Sequence, residues 1–198
     1  MKILWVDTET TGLKSADSAP FQIAMIFEDT KTLTTVEKVF YLNPYDIAGI
    51  KHHKSAEAVH GYKKRQIEKF EVSRKVVPEI EAFLNECEQE NPDVGLCFAA
   101  YNAPFDFEHL ESLFSKYEID FGKHFSGYPN IYFIDVLDQV KIAFEETTLF
   151  EGLSNKRLTT VAKHLGIKMD NAHDALCDIK TTREVSNILL KHGIGRTI

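Results

Sequence analysis

Three strand-like runs come first in this chain, before any helical pattern appears. Residues 2–6, 21–27 and 36–42 are short and mainly apolar, and the polar stretch 29–32 is predicted as a hairpin connection between the second run and the third. After them, helical and strand-like segments alternate. Three consecutive β segments followed by alternating β and α segments predict an α/β fold with a mixed five-stranded sheet and helices on both faces.

The second half of the chain supplies the remaining strands and most of the helices. The apolar runs at 95–101 and 131–134 are predicted as the fourth and fifth strands. Apolar residues at helical spacing predict helices at 76–88, after residue 102, and at 135–144, 158–165 and 174–191, the last two followed by Gly166 and Gly193. Asn91-Pro92 is predicted to separate the first of these helices from the fourth strand.

One domain spanning residues 1–198 is expected, since the chain has the length of an ordinary domain and contains no repeat or linker. A hydrophobic fraction of 43% with 27% charged residues argues against a disordered chain. The sequence has no signal-peptide pattern and no apolar run long enough to span a bilayer. Three scattered cysteines (Cys87, Cys97, Cys177) argue against disulfides and zinc and favour a reducing, cytoplasmic location.

Charge is distributed unevenly. The net charge of −7 argues against a nucleic-acid partner, but residues 51–75 contain eight lysines and arginines and three acids. This segment therefore carries +5, which leaves −12 on the rest of the chain. A local basic segment can contact a phosphate backbone, although on charge alone a solvated surface is the favoured interpretation.

Asp7 and Glu9 follow directly after the first apolar run. Two residues apart on a strand, they project from the same face, with Cα atoms roughly 6.5–7 Å apart. Two neighbouring carboxylates raise each other's pKa unless a cation lies between them, and oxygen ligands suit Mg²⁺ or Mn²⁺. The alternative is a strand end with a solvated glutamate, and the pair alone does not decide between the two.

Two further segments place acids at helix starts. In Asn102-Ala103-Pro104-Phe105-Asp106, Asn102 is predicted as an N-cap and Asp106 lies in the first helical turn. In the segment from His173 to Asp178, Asp174 is predicted to cap the last helix, with Asp178 one turn in and His173 on the preceding loop. For Asp106 alone, the alternative is charge complementarity with the helix N-terminus. For the last segment, the alternatives are a histidine that is only a loop residue and an Asp178 that is a solvated helix residue.

Together, these three segments resemble the motifs of the DEDDh 3′–5′ exonucleases, the family of the proofreading subunit of bacterial DNA polymerase III and of ribonuclease T. The matching residues are Asp7-Thr8-Glu9-Thr10-Thr11-Gly12-Leu13, Asn102-x-x-Phe105-Asp106 and His173-x-Ala175-x-x-Asp178, in the family's order and spacing. Val59-His60-Gly61 resembles a segment that family members place near the terminal nucleotide. The resemblance runs over nearly the whole chain.

The resemblance implies an RNase H-like exonuclease fold and a two-metal mechanism with two Mg²⁺ or Mn²⁺ ions. It implies that Asp7, Glu9 and Asp178 hold the first metal, that Asp7 bridges to the second, and that Asp106 assists. His173 would be the general base, since histidine accepts protons near neutral pH. The implied substrate-binding residues are Thr8, Thr10, Gly12, Leu13, His60, Asn102 and Phe105, with Leu13 as a wedge at the base. Core packing is the alternative for Leu13 and Phe105.

The sequence also departs from the family pattern. Tyr62-Lys63-Lys64-Arg65 follows His60-Gly61 where an isoleucine and a small polar residue are common, so these basic residues could contact phosphates. Tyr101 precedes Asn102 where relatives of the polymerase subunit often carry histidine. No polymerase- or clamp-binding tail is expected after the last helix, and the resemblance allows a monomer or a homodimer.

The expected function is release of nucleoside monophosphates from the 3′ ends of single-stranded DNA. The first alternative is a 3′–5′ exoribonuclease acting on short or structured RNA ends, since no sequence feature reads the 2′-hydroxyl. The others are a non-catalytic nucleic-acid-binding module, which has no physical reason to crowd four carboxylates, and an unrelated phosphodiesterase. Chelators and a substrate panel separate these possibilities.

Overall fold

The computed structural model describes residues 1–88, 95–169 and 173–195. Within these ranges, six strands form one sheet: β1 Lys2–Thr10, β2 Pro20–Asp29, β3 Thr34–Asn43, β4 Glu71–Val72, β5 Cys97–Ala100 and β6 Phe133–Asp135. The helices are α1 Lys54–His60, α2 Lys64–Ile67, α3 Ser73–Glu88, α4 Ala103–Ser115, α5 Val136–Glu146, α6 Leu158–His164 and α7 Ala175–Lys191. Short 3-10 turns lie at Pro44–Asp46 and Gly122–His124.

The sheet is mixed, in the order β4-β3-β2-β1-β5-β6. Strands β1, β2 and β3 form an antiparallel meander, whereas β5 is parallel to β1, β6 to β5 and β4 to β3. The predicted α/β class and mixed sheet are confirmed, but the prediction of five strands is wrong by one. The sixth, β4, has only two residues and pairs with Leu42 and Asn43, so it leaves no periodic pattern in the sequence.

Both faces of the sheet are covered by helices, as predicted. Leu4 and Val6 of β1 pack into a core with α3 and α4, whereas Ile3 and Trp5 pack into a second core with α5, α6 and α7. Because side chains alternate along a strand, odd-numbered positions of β1 face α7 and even-numbered positions face α4. This alternation decides which helix each polar residue at the end of β1 can reach.

The helix ends follow the predicted residues closely. The expected C-terminal glycines, Gly166 and Gly193, adopt left-handed φ values of 73° and 77°. Helices α1 and α2 were not predicted, and the expected break at Asn91-Pro92 lies outside the described residues. None of the helices described is both long and apolar enough to cross a bilayer.

Candidate active site

The polar end of β1 remains part of the sheet. The strand continues through Asp7 and Glu9 to Thr10, pairing with β2 until the register shifts between Glu9 and Thr10. Irregularities of this kind bend a strand and re-aim its side chains. The alternation along β1 puts Asp7 and Glu9 on the α7 face, and Thr8 on the α4 face.

The start of α7 brings two more polar residues to the same place. Asp174 caps the helix as predicted, its Oδ1 accepting from the backbone N–H of Cys177 at 3.2 Å. His173 precedes the cap with a left-handed φ of 68°, and its backbone N–H donates to Asp178 Oδ2 at 3.3 Å. Potential ligand atoms of Glu9, His173 and Asp178 all lie within 4.8 Å of one another. Residues distant in sequence therefore meet at one point.

Asp106 approaches the site from the opposite face of the sheet. It is buried in the first turn of α4, and Thr8 donates a hydrogen bond from Oγ1 to Asp106 Oδ1 at 2.8 Å. This contact follows from the alternation along β1. The hydroxyl of Thr8, which the resemblance assigns to substrate, contacts a carboxylate in this structure.

The pKa values of the four carboxyl groups are all raised, in each case mainly by burial. Burial raises the pKa of Glu9 to about 8, with Asp178 and Asp106 adding to the effect. The pKa of Asp7 is also raised well above its ordinary value, first by burial and then by Asp106. Burial raises the pKa of Asp106 to about 7, against hydrogen bonds from Thr8, and that of Asp178 to about 6. Carboxyl groups whose pKa values are raised in this way make a site that a cation stabilises.

The donor set fits a hard divalent cation. Asp178 Oδ1 is buried and has no hydrogen-bond partner within residues 1–88, 95–169 and 173–195. An unpaired buried carboxylate oxygen is costly unless a ligand occupies its lone pairs. Carboxylate oxygens are ligands suited to Mg²⁺ or Mn²⁺.

A cavity of about 350 Å³ lies beside the acids. Its lining consists of Thr8, Glu9, Thr10, Leu13, Ser55, Ala56, Val59, His60 and Phe105. Leu13 and Val59, 74% and 55% exposed, are unusually open for apolar side chains. Ser55 and Ala56 belong to α1 and were missed in the sequence, although the spacing of Ala56, Val59 and His60 is that of one helix face.

His60 presents a hydrogen-bond donor in this cavity wall. Its Nδ1 accepts from the backbone N–H of Tyr62 at 2.9 Å, and burial lowers its pKa to about 4. The ring is therefore neutral at pH 7, with its proton on Nε2. Nε2 is buried and has no partner among the residues described.

Gly12 and Asn102 do not line the cavity. A Cβ added at Gly12 would lie 2.3 Å from His53 Cδ2, so any side chain there would displace the imidazole ring of the residue that precedes α1. Asn102 occupies the predicted N-cap position of α4, although its side chain makes no capping hydrogen bond.

The basic segment lies along the chain that forms the cavity wall and continues beyond it. Lys51 pairs with Asp17, Lys64 with Glu68 and Lys75 with Glu71. Lys63 and Arg65 are exposed next to α1. Surface ion pairs of this kind contribute little to stability, so these side chains remain available to a polyanion.

Comparison with known proteins gives a consistent result. A family model described as Exonuclease matches residues 4–186. Similar solved structures include E. coli exonuclease I with a dT13 oligonucleotide (22% identity, TM-score 0.74) and the zinc-bound form of its complex with single-stranded DNA (23%, 0.77). A further exonuclease I structure is 25% identical, with a TM-score of 0.75.

These alignments cover 96% of this chain but only 40 or 41% of the solved chains. The chain thus spans about two fifths of the length of those proteins. No curated protein matches the chain in sequence.

Proposed function

This chain belongs to the DEDDh-type 3′–5′ exonuclease family, and on that premise we propose that it removes nucleoside monophosphates from the 3′ ends of single-stranded DNA. The observation that carries the proposal is the meeting of Glu9, His173 and Asp178 within 4.8 Å beside a nucleotide-sized cavity. Glu9 then belongs both to the hydrolytic site and to the lining of the pocket for the terminal nucleotide.

The proposal assigns the metal ligands to Asp7, Glu9, Asp106 and Asp178, holding two Mg²⁺ or Mn²⁺ ions. When bound, such ions activate water and stabilise charge on the attacking and leaving oxygens of a phosphodiester. The raised pKa values of the four acids support the assignment, because a bound cation would offset the cost of holding their negative charges in a buried site.

His173 is proposed as the general base. Its side chain is exposed, and its ring lies within reach of the same point as Glu9 and Asp178. An exposed imidazole at that position can take a proton from an attacking water and pass it to solvent.

The cavity is proposed to hold the terminal nucleotide. Leu13 and Phe105 line the cavity together with Val59 of α1, and the neutral His60 supplies an N–H donor. Gripping one nucleotide requires unstacking it from its neighbour, which costs least when no base pair is lost. A single strand with a free end is therefore the preferred substrate.

DNA is proposed in preference to RNA because exonuclease I, which shares this fold, has been solved in complexes with single-stranded DNA. The exposed lysine and arginine side chains of residues 63–65 would contact the backbone next to the terminal unit. We place this activity in the cytoplasm, where scattered cysteines remain reduced.

The test uses matched 5′-labelled DNA and RNA single strands with Mg²⁺. Wild type should shorten the DNA one nucleotide at a time, whereas Asp178→Asn should lose several orders of magnitude in rate. Glu184→Gln is the matched control, because Glu184 is an exposed acid on the same helix, and it should retain full activity. Faster digestion of the RNA would reassign the substrate, and equal rates in all three proteins would remove the proposed site.

A further inference from the structure

Gln22 is a fully buried polar residue that the proposed chemistry does not use. It lies on β2 directly opposite Glu9 in the antiparallel pairing of β1 with β2. A buried amide is costly unless its donors and its acceptor find partners, so the partners of Gln22 indicate what it does.

The amide of Gln22 forms hydrogen bonds with the start of α7, at the N-cap residue Asp174 and at the first helical residue, Ala175. Nε2 donates to Asp174 Oδ2 at 3.0 Å, and Oε1 accepts from the backbone N–H of Ala175 at 3.5 Å. The second Nε2 hydrogen is donated to the hydroxyl of Tyr41 on β3, at 3.1 Å. The side chain of Gln22 therefore connects β2 and β3 to the start of the helix, and the strand pairing of Gln22 with Glu9 relates this connection to β1.

The two carboxylate oxygens of Asp174 accept different hydrogen bonds. Oδ1 caps the helix through Cys177 N–H, and Oδ2 accepts from Gln22. The capped turn carries Asp178, whose backbone N–H closes the first helical bond onto Asp174 C=O at 2.9 Å, and it follows directly after His173. Fixing the position of Asp174 therefore also restrains His173 before it and Asp178 after it.

We propose that Gln22 is a positioning residue that fixes the N-terminus of α7 relative to β1, and so sets the distance from Asp178 and His173 to Glu9. The inference rests on the proposed function in treating these three residues as parts of one metal-dependent site. Gln22 acts through Asp174 and touches neither substrate nor metal.

The surroundings of Gln22 favour the glutamine amide over the side chains that could replace it. A glutamate would place a like charge 3 Å from Asp174 and opposite Glu9, in a region that already raises carboxylate pKa values. Asparagine is one methylene shorter and would lose reach to the helix. A methionine has nearly the same volume and shape but lacks both donors, so it removes the contacts without opening a cavity.

The test compares Gln22→Met with Gln139→Met. Gln139 is a matched control: it is also buried, and it contacts the same helix at a distant position, where Ser186 Oγ donates to its Oε1 at 3.4 Å. Binding of Mn²⁺ alone is measured by calorimetry, amide hydrogen exchange is followed at residues 175–180, and the Mg²⁺ dependence of exonuclease activity is recorded for each protein.

In Gln22→Met, the Mn²⁺ dissociation constant and the Mg²⁺ concentration for half-maximal rate should each rise by about tenfold, the scale found for residues that orient metal ligands. Exchange at residues 175–180 should accelerate only in that variant. Gln139→Met should leave the metal constants within about twofold of wild type, whatever its thermal stability. Unchanged constants in Gln22→Met, or equal changes in both variants, overturn the proposal.

Asp174→Asn provides a second route if Gln22→Met does not fold. Asparagine is an equally good N-cap, but its single oxygen cannot both cap Cys177 and accept from Gln22. The same weakening of Mn²⁺ binding is expected, and wild-type binding would count against Gln22. If wild type degrades no nucleic acid, the proposed function fails, whereas Mn²⁺ binding and hydrogen exchange still decide the role of Gln22.

Discussion

Glu9→Gln should stabilise the metal-free protein at alkaline pH while abolishing its activity. Burial, Asp178 and Asp106 raise the pKa of Glu9 to about 8, from an ordinary 4.5. A carboxyl whose pKa is higher in the folded state favours folding at low pH, and that contribution is lost as pH rises from 4.5 through 8. Glutamine keeps the shape of the side chain and removes the charge.

The size of the effect follows from the same values. At pH 9, ionised Glu9 costs the folded state up to about 5 kcal/mol relative to the unfolded chain. Water entry and relaxation of the neighbouring acids reduce this cost, so we expect a gain of about 1–3 kcal/mol in the free energy of unfolding. At pH 5 the side chain of Glu9 is mostly protonated in the folded protein, so it is as uncharged as the glutamine that replaces it. The gain in the free energy of unfolding should then fall below about 1 kcal/mol.

Urea unfolding in EDTA, followed by the fluorescence of Trp5, measures this difference. Trp5 is the one tryptophan of the chain and is fully buried, so its emission reports the sheet directly. Glu184→Gln, an exposed acid on α7, should change stability by less than about 0.5 kcal/mol at either pH. Loss of stability in Glu9→Gln at pH 9, or an equal gain at pH 5 and pH 9, would refute the electrostatic reasoning.

Four further outcomes follow from the site and from the basic segment next to it. EDTA should abolish activity and Mg²⁺ or Mn²⁺ should restore it, so full activity in EDTA would exclude the metal assignment. His173→Ala should lower turnover by about 10²- to 10⁴-fold with little change in Mn²⁺ affinity, and an unaltered pH–rate profile would place the base elsewhere. Thr8→Val removes a hydrogen bond that lowers the pKa of Asp106, so the acidic limb of the pH–rate profile should move upward; Thr182→Val, a buried threonine on α7, should leave it in place. Alanine at all three residues 63–65 should reduce the salt slope of single-strand binding by about 2 if each side chain contacts a phosphate, and an unchanged slope would remove them from the binding surface.

The sequence predicts those elements of the fold whose apolar pattern extends over many residues. Strand β1 is buried on both faces, so its continuous apolar run marks it clearly, and α7 has 17 residues with a capping aspartate at its start. Strand β4 and helix α2 have two and four residues, too few for any period to appear. Helix α1 has seven residues among charged neighbours, and its one apolar face is directed to a cavity rather than to a core.

The candidate site was predictable as a set of residues but not as an arrangement. Alternation along a strand indicates that Asp7 and Glu9 share a face, but only tertiary packing puts α7 on that face and α4 on the other. The hydrogen bond from Thr8 to Asp106 joins residues 98 positions apart, and that from Gln22 to Asp174 joins residues 152 apart. Pairings at such separations depend on sheet order and register, for which a single sequence carries no local signal.

The central claim is that hydrolysis begins at a free 3′ end. The most direct measurement compares two 5′-labelled single-stranded DNA molecules of one sequence in Mg²⁺, one with a 3′-hydroxyl and one with a bulky 3′ block. We predict a ladder that shortens by single nucleotides from the 3′ end of the free strand, with release of nucleoside monophosphates, and no digestion of the blocked strand. Equal digestion of both strands, or immediate release of the 5′-terminal label as a mononucleotide, would contradict the account.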